Sequence, residues 1–298
     1  MRSAGIKALL RLLLGLIKAL PRRFVPVLAS VYAWIAYRFA GRDRGLIERN
    51  VELVYKLPSQ SIFSKTFQRQ VFRTQAIIAL ETFKHQFSKR ELIRFEGRER
   101  FKAAMEKISA SGNGLIFVTA HHGSWELVAN EIARATGKTF VALAKPSKLP
   151  EFTDVLTKLR GKADTRVLYT DSKNLLRDMI KTLKENGNLG FVMDQKPEGR
   201  VGPIVEFLGQ PTEFVTGPAK LAARHGSPVV AIFCMRTGPW EYRIEFETVV
   251  GPDQNLQDEQ FLTQKMATAI TRSIQIYPEQ WIWNYKRWRS PAPLSNPV

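Results

Sequence analysis

The stretch LIFVTAHHGSWELVANEIARATG, residues 115–137, decides the fold of this chain. Its first six residues are almost continuously apolar, which is typical of a strand buried on both faces. Ser124 stands where a helix cap belongs, apolar residues then recur at helical spacing as far as Thr136, and Gly137 favours a helix end. The pattern predicts a strand, a tight turn and a helix, the geometry that presents polar side chains at the carboxyl end of a sheet.

Three residues with acid–base chemistry lie at this turn: His121, His122 and Glu126. A carboxylate five positions after a histidine can accept an imidazole N–H, fix the tautomer and stabilise the imidazolium. The spacing alone is equally compatible with a capped helix and two loop histidines. A zinc site is disfavoured, because the sequence lacks the helical H-E-x-x-H motif and the other histidines, His85 and His225, lie in unrelated contexts.

Strands and helices alternate after this unit, which predicts an α/β fold with a mainly parallel sheet flanked by helices. Further strands are predicted at 139–144, 166–169, 188–193, 228–235 and 242–250, and helices at 151–160, 175–186, 217–224 and 261–277. The strand at 242–250 alternates in polarity and is expected to be antiparallel at a sheet edge. Residues 1–110 are predicted to be mainly helical and residues 111–298 to form the α/β core. No linker separates them, so one continuous body is expected.

The net charge of +18, from 45 Lys and Arg against 27 Asp and Glu, indicates an anionic partner. Residues 1–42 hold eight basic side chains and no acid, together with two apolar segments. Neither segment reaches the roughly 20 apolar residues that cross a bilayer. Basic helices lying on an anionic membrane surface are therefore expected, and an ordinary amphipathic helix packed on the domain is the alternative. Nucleic acid is disfavoured, because no recognition motif for it appears.

Several single residues are weaker candidates. Asp194 follows an apolar strand, where it could contact a ligand or cap a turn, and Lys145 and Arg160 could bind phosphate or be merely solvated. The G-x-x-x-x-G-K-[ST] and G-x-S-x-G motifs are absent. Cys234 is the single cysteine, which excludes an internal disulfide and fits a reducing, cytoplasm-facing location. The tryptophans of the tail could be interfacial anchors or core residues: Trp281, Trp283 and Trp288.

Residues 121–126, HHGSWE, resemble the H-x-x-x-x-[D/E] signature of the lysophospholipid acyltransferase superfamily. The narrower H-x-G-x-W-E pattern is similar to that of the bacterial lipid A biosynthesis (lauroyl/myristoyl) acyltransferases. The amino-terminal segment, the stretch from MDQ to GSPVV and the ending PEQWIWNYKRWR extend the resemblance over nearly the whole chain.

The resemblance implies a glycerolipid-acyltransferase-like fold with a membrane-docking helical layer at residues 1–110. His121 would be the general base, Glu126 its carboxylate partner and Arg160 a phosphate ligand, while Asp194 and Gln195 match a D-Q pair near the active site. This chain has Lys145 and Pro146 where the family usually has Arg-Pro, and Lys196 and Pro197 where a further acid or aromatic residue is usual, which leaves the acceptor open.

The implied reaction moves an acyl chain from a thioester, on acyl carrier protein or CoA, to a hydroxyl of a membrane glycolipid, most closely a late step of lipid A biosynthesis. No metal and no cofactor beyond the thioester co-substrate are implied. The implied location is the cytoplasmic face of the bacterial inner membrane. Two rival functions remain: acylation of another lysophospholipid or of a phosphatidylinositol mannoside, and non-catalytic binding to a membrane or a nucleic acid.

Overall fold

The computed structural model describes residue 12 and residues 14–57, 61–146, 153, 157, 164–197, 202–252, 254 and 258–288. Its strands are β1 Arg94–Glu96, β2 Leu115–Thr119, β3 Phe140–Ala144, β4 Thr165–Tyr169, β5 Asn188–Val192, β6 Ile204–Phe207, β7 Gln210–Glu213, β8 Val229–Gly238 and β9 Glu241–Val250. Its α-helices, numbered in the same way, are α1 Val25–Phe39, α2 Gly41–Tyr55, α3 Ile62–Phe87, α4 Arg98–Ser109, α5 Trp125–Thr136, α6 Leu175–Lys184, α7 Gly217–His225 and α8 Glu259–Ile276.

Seven of the strands form one mixed sheet in the order β1-β9-β8-β2-β5-β3-β4. The run β8-β2-β5-β3-β4 is parallel, β9 is antiparallel to β8, and β1 is parallel to β9. The prediction of a mainly parallel sheet is confirmed. The prediction that residues 242–250 form an edge strand is wrong, because β1 pairs with the outer side of β9. The sheet therefore takes a strand from the first 110 residues.

The strand, turn and helix of residues 115–137 form as predicted. β2 ends one residue before the predicted bound, and α5 ends at Thr136, followed by Gly137 in the left-handed conformation at φ 65°. The hydroxyl of Ser124, at the cap position, shares a 2.6 Å hydrogen bond with Thr82 of α3. The predicted helix at 151–160 lies outside the described residues, apart from residues 153 and 157.

Two hydrophobic cores fill the two faces of the sheet. Residues that are paired across β2, β5 and β3 share a face, so Phe117 and Phe140 point towards α5, whereas Val118 and Phe191 point towards α6 and α7. The chain crosses over one face between β2 and β3 and over the other between β4 and β5. The carboxyl ends of β2, β5 and β3 thus form the place where ligands bind in such sheets.

Helix α1 packs on α3 through small residues and turns its large ones outward. Ala29, Ala33 and Ala36 are buried, whereas Trp34 and Phe39 are 67% and 74% exposed. Among the described residues no single helix is long and apolar enough to span a membrane. One pair, Arg22–Phe39 with Gly41–Tyr55, meets that test of length and composition together, with a bend of 89° between its members.

Candidate active site

The loop that joins β2 to α5 turns sharply at Gly123. Its φ of 60° is unfavourable for other residues, and an added Cβ atom would lie 2.3 Å from the carbonyl oxygen of Cys234. The loop is also fixed by backbone bonds, from Gly123 N–H to the Gln280 carbonyl and from Ser124 N–H to the Cys234 carbonyl. The turn therefore lies directly against β8 and the segment after α8, and its side chains have fixed directions.

His121 meets a buried carboxylate at this turn. Its Nδ1 lies 2.9 Å from Oδ1 of Asp194, which follows β5, the neighbour of β2 in the sheet. The second carboxylate oxygen, Oδ2, accepts a 2.8 Å hydrogen bond from the indole N–H of Trp281. Asp194 and Trp281 are fully buried, whereas the His121 side chain is 25% exposed. The imidazole is therefore held on its Nδ1 side by a buried carboxylate, and its side chain is partly exposed.

Asp194 keeps its charge despite burial. Desolvation acts to raise its pKa, but the charge and hydrogen bond of His121 and the N–H of Trp281 outweigh that effect, so the pKa of Asp194 is lower than usual. An ionised carboxylate can only accept hydrogen bonds, so Nδ1 of His121 is the donor. This tautomer places the basic lone pair of the ring on Nε2, the atom that a general base uses.

His122, one residue further on, has the opposite environment. It is fully buried, its Nε2–H donates to the carbonyl of Ser273 at 3.1 Å, and its backbone forms an isolated bridge with Trp281. Burial lowers the pKa of His122 to about 4, so its ring is neutral near pH 7. His122 therefore anchors the turn to α8, whereas the side chain of His121 is the partly exposed one of the two.

A buried ion pair holds α3 beside the turn. Glu81 accepts two hydrogen bonds from the guanidinium of Arg236 and one from the hydroxyl of Tyr242, and its side chain is fully buried. The side chain of Gln280 bonds both backbone groups of Arg236, and the backbone carbonyl of Gln280 accepts from Gly123. These contacts connect α3, β8 and the active-site loop into one rigid support.

A cavity of about 1190 Å³ opens at the carboxyl ends of the strands. His121 and Glu126 both line it, as do Lys145 and Gln195. Most of its wall is apolar, and further cations lie on it: Lys173, Lys220 and Arg224. An apolar cavity with a cationic lining suits an amphiphile that carries negative charge.

The structure brings most of the predicted site residues together at the cavity. The structure brings His121, Glu126, Lys145 and Gln195 to one cavity, with Asp194 buried beneath His121. The carboxylate hydrogen-bonded to Nδ1 of His121 is that of Asp194, and the role of Glu126 as partner stays a prediction. The remaining candidate, Arg160, lies outside the described residues. Within the described part of the chain, no three His, Cys, Asp or Glu residues are grouped as a metal site would require.

Sequence reasoning missed the support of the site. Trp281 is 87 residues from Asp194, and Thr82 is 42 residues from Ser124. The aromatic density of the tail was visible, but nothing in its spacing indicated which indole faces the sheet. The position of Asp194 after an apolar strand was the one local signal that connected it with the turn.

A histidine hydrogen-bonded to a buried acid at the carboxyl edge of a parallel sheet, on the wall of a mainly apolar cavity, is an arrangement expected of an α/β enzyme for lipid-like substrates. A family model described as "Bacterial lipid A biosynthesis acyltransferase" matches residues 2–290. The chain belongs to this family of acyltransferase enzymes, so the resemblance stated above is confirmed.

Curated proteins that are similar to this chain are also named acyltransferases. The chain is 26% identical over 227 residues to a phosphatidylinositol mannoside acyltransferase of Mycobacterium tuberculosis strain H37Rv, covering 74% of this chain and 66% of that protein. It is 23% identical over 180 residues to a protein of the same name from Mycolicibacterium smegmatis, covering 60% and 58%. The chain thus spans less than two thirds of the length of these relatives, 66% of the first and 58% of the second.

Proposed function

We propose that this protein transfers a fatty acyl chain from a thioester to a hydroxyl of a membrane glycolipid, with His121 as general base. The pairing of His121 with Asp194 at the mouth of the apolar cavity carries the proposal. Acyl carrier protein is the proposed donor, with acyl-CoA as the second choice, and a late intermediate of lipid A biosynthesis is the proposed acceptor.

The reaction needs one proton shuttle. Nε2 of His121 would remove the proton of the acceptor hydroxyl while its oxygen attacks the thioester carbonyl. Asp194 would stabilise the imidazolium that forms, as the buried acid does in other histidine-based catalysts. Collapse of the tetrahedral intermediate breaks the carbon–sulfur bond, and the imidazolium returns its proton to the leaving thiolate. The products are an ester and a free thiol.

The oxyanion of this intermediate forms beside the start of α5. The positive end of a helix dipole favours negative charge there. The Ser124 N–H already donates to the Cys234 carbonyl. The dipole of α5 and a nearby cation such as Lys145 are therefore the better candidates for stabilising the oxyanion. Glu126, on the cavity wall, is proposed to orient the acceptor hydroxyl or to act as a second acid for His121.

Both proposed substrates are anionic, and the protein is strongly basic. A net charge of +18 would attract the acidic carrier protein and the phosphorylated lipid. Lys173, Lys220 and Arg224 on the cavity wall would help hold phosphate near the reacting hydroxyl. Added salt is therefore expected to weaken docking of the donor.

Helix α1 is proposed to dock the enzyme on the cytoplasmic face of the bacterial inner membrane. A helix that buries alanines and exposes Trp34, Ile35 and Phe39 presents the apolar surface that a bilayer interface accommodates. Arg23 and Arg38 are on the same stretch and would contact anionic lipid headgroups.

An acyl-transfer assay tests this function. The purified protein is given an acyl-carrier or acyl-CoA thioester and an acceptor lipid, and thiol release and acylated lipid are measured together. Wild type is expected to produce thiol and ester in equal amounts, and His121→Gln to lose both. His85→Gln, in the last turn of α3 and outside the described lining of the cavity, serves as the control for removing a histidine and should retain transfer. Thiol release by wild type no faster than in buffer would leave only the non-catalytic membrane binder.

The similarity to phosphatidylinositol mannoside acyltransferases supports a second acceptor. Both candidates are membrane glycolipids, so the same base would act on either. Parallel assays with a lipid A precursor and with a phosphatidylinositol mannoside separate them by mass spectrometry of the product. A lysophospholipid, added as a third acceptor, tests the remaining alternative.

A further inference from the structure

The cavity reaches both faces of the sheet because two strands part. β5 and β3 pair only over residues 188–190 and 140–142, although β5 continues to Val192 and β3 to Ala144. A crevice therefore opens between the carboxyl ends of these strands. On the α6 and α7 side Leu176 is 58% exposed, and cations lie on the wall of the cavity.

The part of the cavity on the α5 side, called the slot below, has its own set of lining residues. Its wall combines residues of one sheet face with residues of α5: Thr119, Val128, Ala129, Phe140, Ala142, Gly190 and Val192. His121 and Trp125 stand at its mouth, where the ring of Trp125 lies edge-on to the imidazole at 5.2 Å. The slot thus begins at the proposed base and continues along the sheet as an apolar passage.

The ring of Phe140 lines the slot at the end away from His121, at the start of β3. It lies over Gly190 of the neighbouring strand so closely that an added Cβ atom at Gly190 would be 1.9 Å from its tip. Phe117 supports the ring from β2, with ring centroids 6.2 Å apart. Phe140 is buried, whereas Ala142 and Ala144, on the same face and nearer the mouth, are half-buried and small. Four residues of strand separate Phe140 from Ala144, roughly 13 Å.

We propose that the slot binds the acyl chain of the donor and that the contact of Phe140 with Gly190 sets the longest chain it accepts. This inference rests on the proposed function, because the thioester carbonyl must lie beside His121 while its chain enters the passage that starts there. A passage lined by Val128, Ala142 and the ring of Phe140 is apolar and suits a hydrocarbon chain. The acceptor carries a polar, anionic headgroup, which suits the side of the cavity that carries the cations.

Binding of saturated fatty acids of increasing length tests the slot without needing turnover. Affinity for wild type should rise with length and then stop rising at a limit. Phe140→Leu and, more strongly, Phe140→Ala should move that limit by about two to four methylene groups, because truncation of the ring leaves a void at the Phe140 end of the slot. The first chain beyond the wild-type limit should gain about 10-fold or more in affinity, the usual effect of one methylene in an apolar pocket.

Phe117→Leu is the matched control. It makes the same change one strand away, at a residue outside the described lining of the cavity. Its limit should stay that of wild type. Gly190→Ala in the Phe140→Leu background should move the limit back towards shorter chains, because the new methyl group occupies the space that the ring has left.

The same variants are then assayed with a series of acyl thioesters. A shifted binding limit with the same shift in transfer supports the inference. An unchanged limit in both Phe140 variants, or an equal shift in Phe117→Leu, overturns it, whatever the rate of transfer. A shifted binding limit in a protein that transfers no acyl chain would instead remove the proposed function and leave the slot as a fatty-acid site.

Discussion

Helix α1 and the C-terminal segment, residues 281–288, are alike in composition and opposite in burial. Both combine aromatic residues with arginine, and both were compatible with an interfacial or a core position. The structure exposes Trp34 of α1 to 67%, whereas Trp281 and Trp283 are fully buried and Arg287 lies between the rings of Phe207 and Phe214. One region leaves its aromatic groups exposed, and the other packs them beneath the candidate site.

The difference shows that neighbours determine the role of an aromatic residue. The buried face of α1 is made of alanines, so α3 packs closely beneath it and the large side chains can only point outward. The C-terminal segment instead enters the space between α3, α8 and the antiparallel pair of β6 and β7, where Trp281 donates to Asp194 and Trp283 to the carbonyl of Pro278. An indole N–H that is satisfied in the core favours burial.

The largest effect should come from removing one tryptophan in each region. Trp283→Ala is expected to lower the free energy of unfolding by about 3–5 kcal/mol, as truncation of a buried aromatic residue usually does. Trp34→Ala should change it by less than about 0.5 kcal/mol, since that ring is mostly exposed, yet weaken binding to lipid vesicles. Urea unfolding and vesicle flotation measure the two quantities. Equal losses of stability would contradict the contrast between the regions.

The second largest effect should be a loss of protein stability at low pH, which we attribute to His122 in the turn beneath the C-terminal segment. The folded pKa of His122 is about 4 against an ordinary 6.5, so the unfolded chain binds more protons between those values. Stability from this group is complete above about pH 6.5 and falls as pH drops towards 4, by roughly 3 kcal/mol in total at 1.4 kcal/mol per pH unit. Urea unfolding across this range should show a shallower loss in His122→Gln. An identical pH slope in both proteins would refute the assignment.

A smaller effect is expected when only one hydrogen bond is removed, the bond from the Trp281 indole to Asp194. Trp281→Phe keeps the ring but removes the hydrogen bond to Asp194, a bond to a charged group worth about 1.5–3 kcal/mol. Acyl transfer should fall about 10- to 100-fold, and the pH profile of kcat/KM should shift, because the carboxylate that stabilises the imidazolium is held less well. Trp283→Phe loses a bond to Pro278 instead and should keep the wild-type profile. If both variants shifted alike, Trp281 would have only a packing role.

The smallest expected effect concerns charge near α1. Arg38→Gln should weaken binding to anionic vesicles about fivefold, since one basic residue near such a surface contributes about 1 kcal/mol. Lys107→Gln, on α4, makes a comparable change in charge elsewhere and should have little effect. Neutral vesicles should not distinguish the three proteins. Equal weakening by both substitutions would mean that net charge alone, and no particular face, governs docking.

The local pattern predicted the strand, turn and helix around His121 nearly to the residue, because burial on both faces and helical spacing are written into residues 115–137. The partner of His121 depended on sheet order. Asp194 lies beside the turn only because β5 is the neighbour of β2, and no spacing along the chain specifies that neighbour. β1 was missed for a similar reason, since a three-residue strand has too short a pattern and is stabilised by pairing with β9.

The central claim is that an imidazole fixed by Asp194 removes the acceptor proton. The most direct measurement is the rate at which purified His121→Gln moves an acyl chain from thioester to glycolipid, compared with wild type at equal thermal stability. A general base contributes about 10²–10⁴-fold, so a loss of at least 10²-fold is expected. Transfer within a few-fold of the wild-type rate would contradict the account.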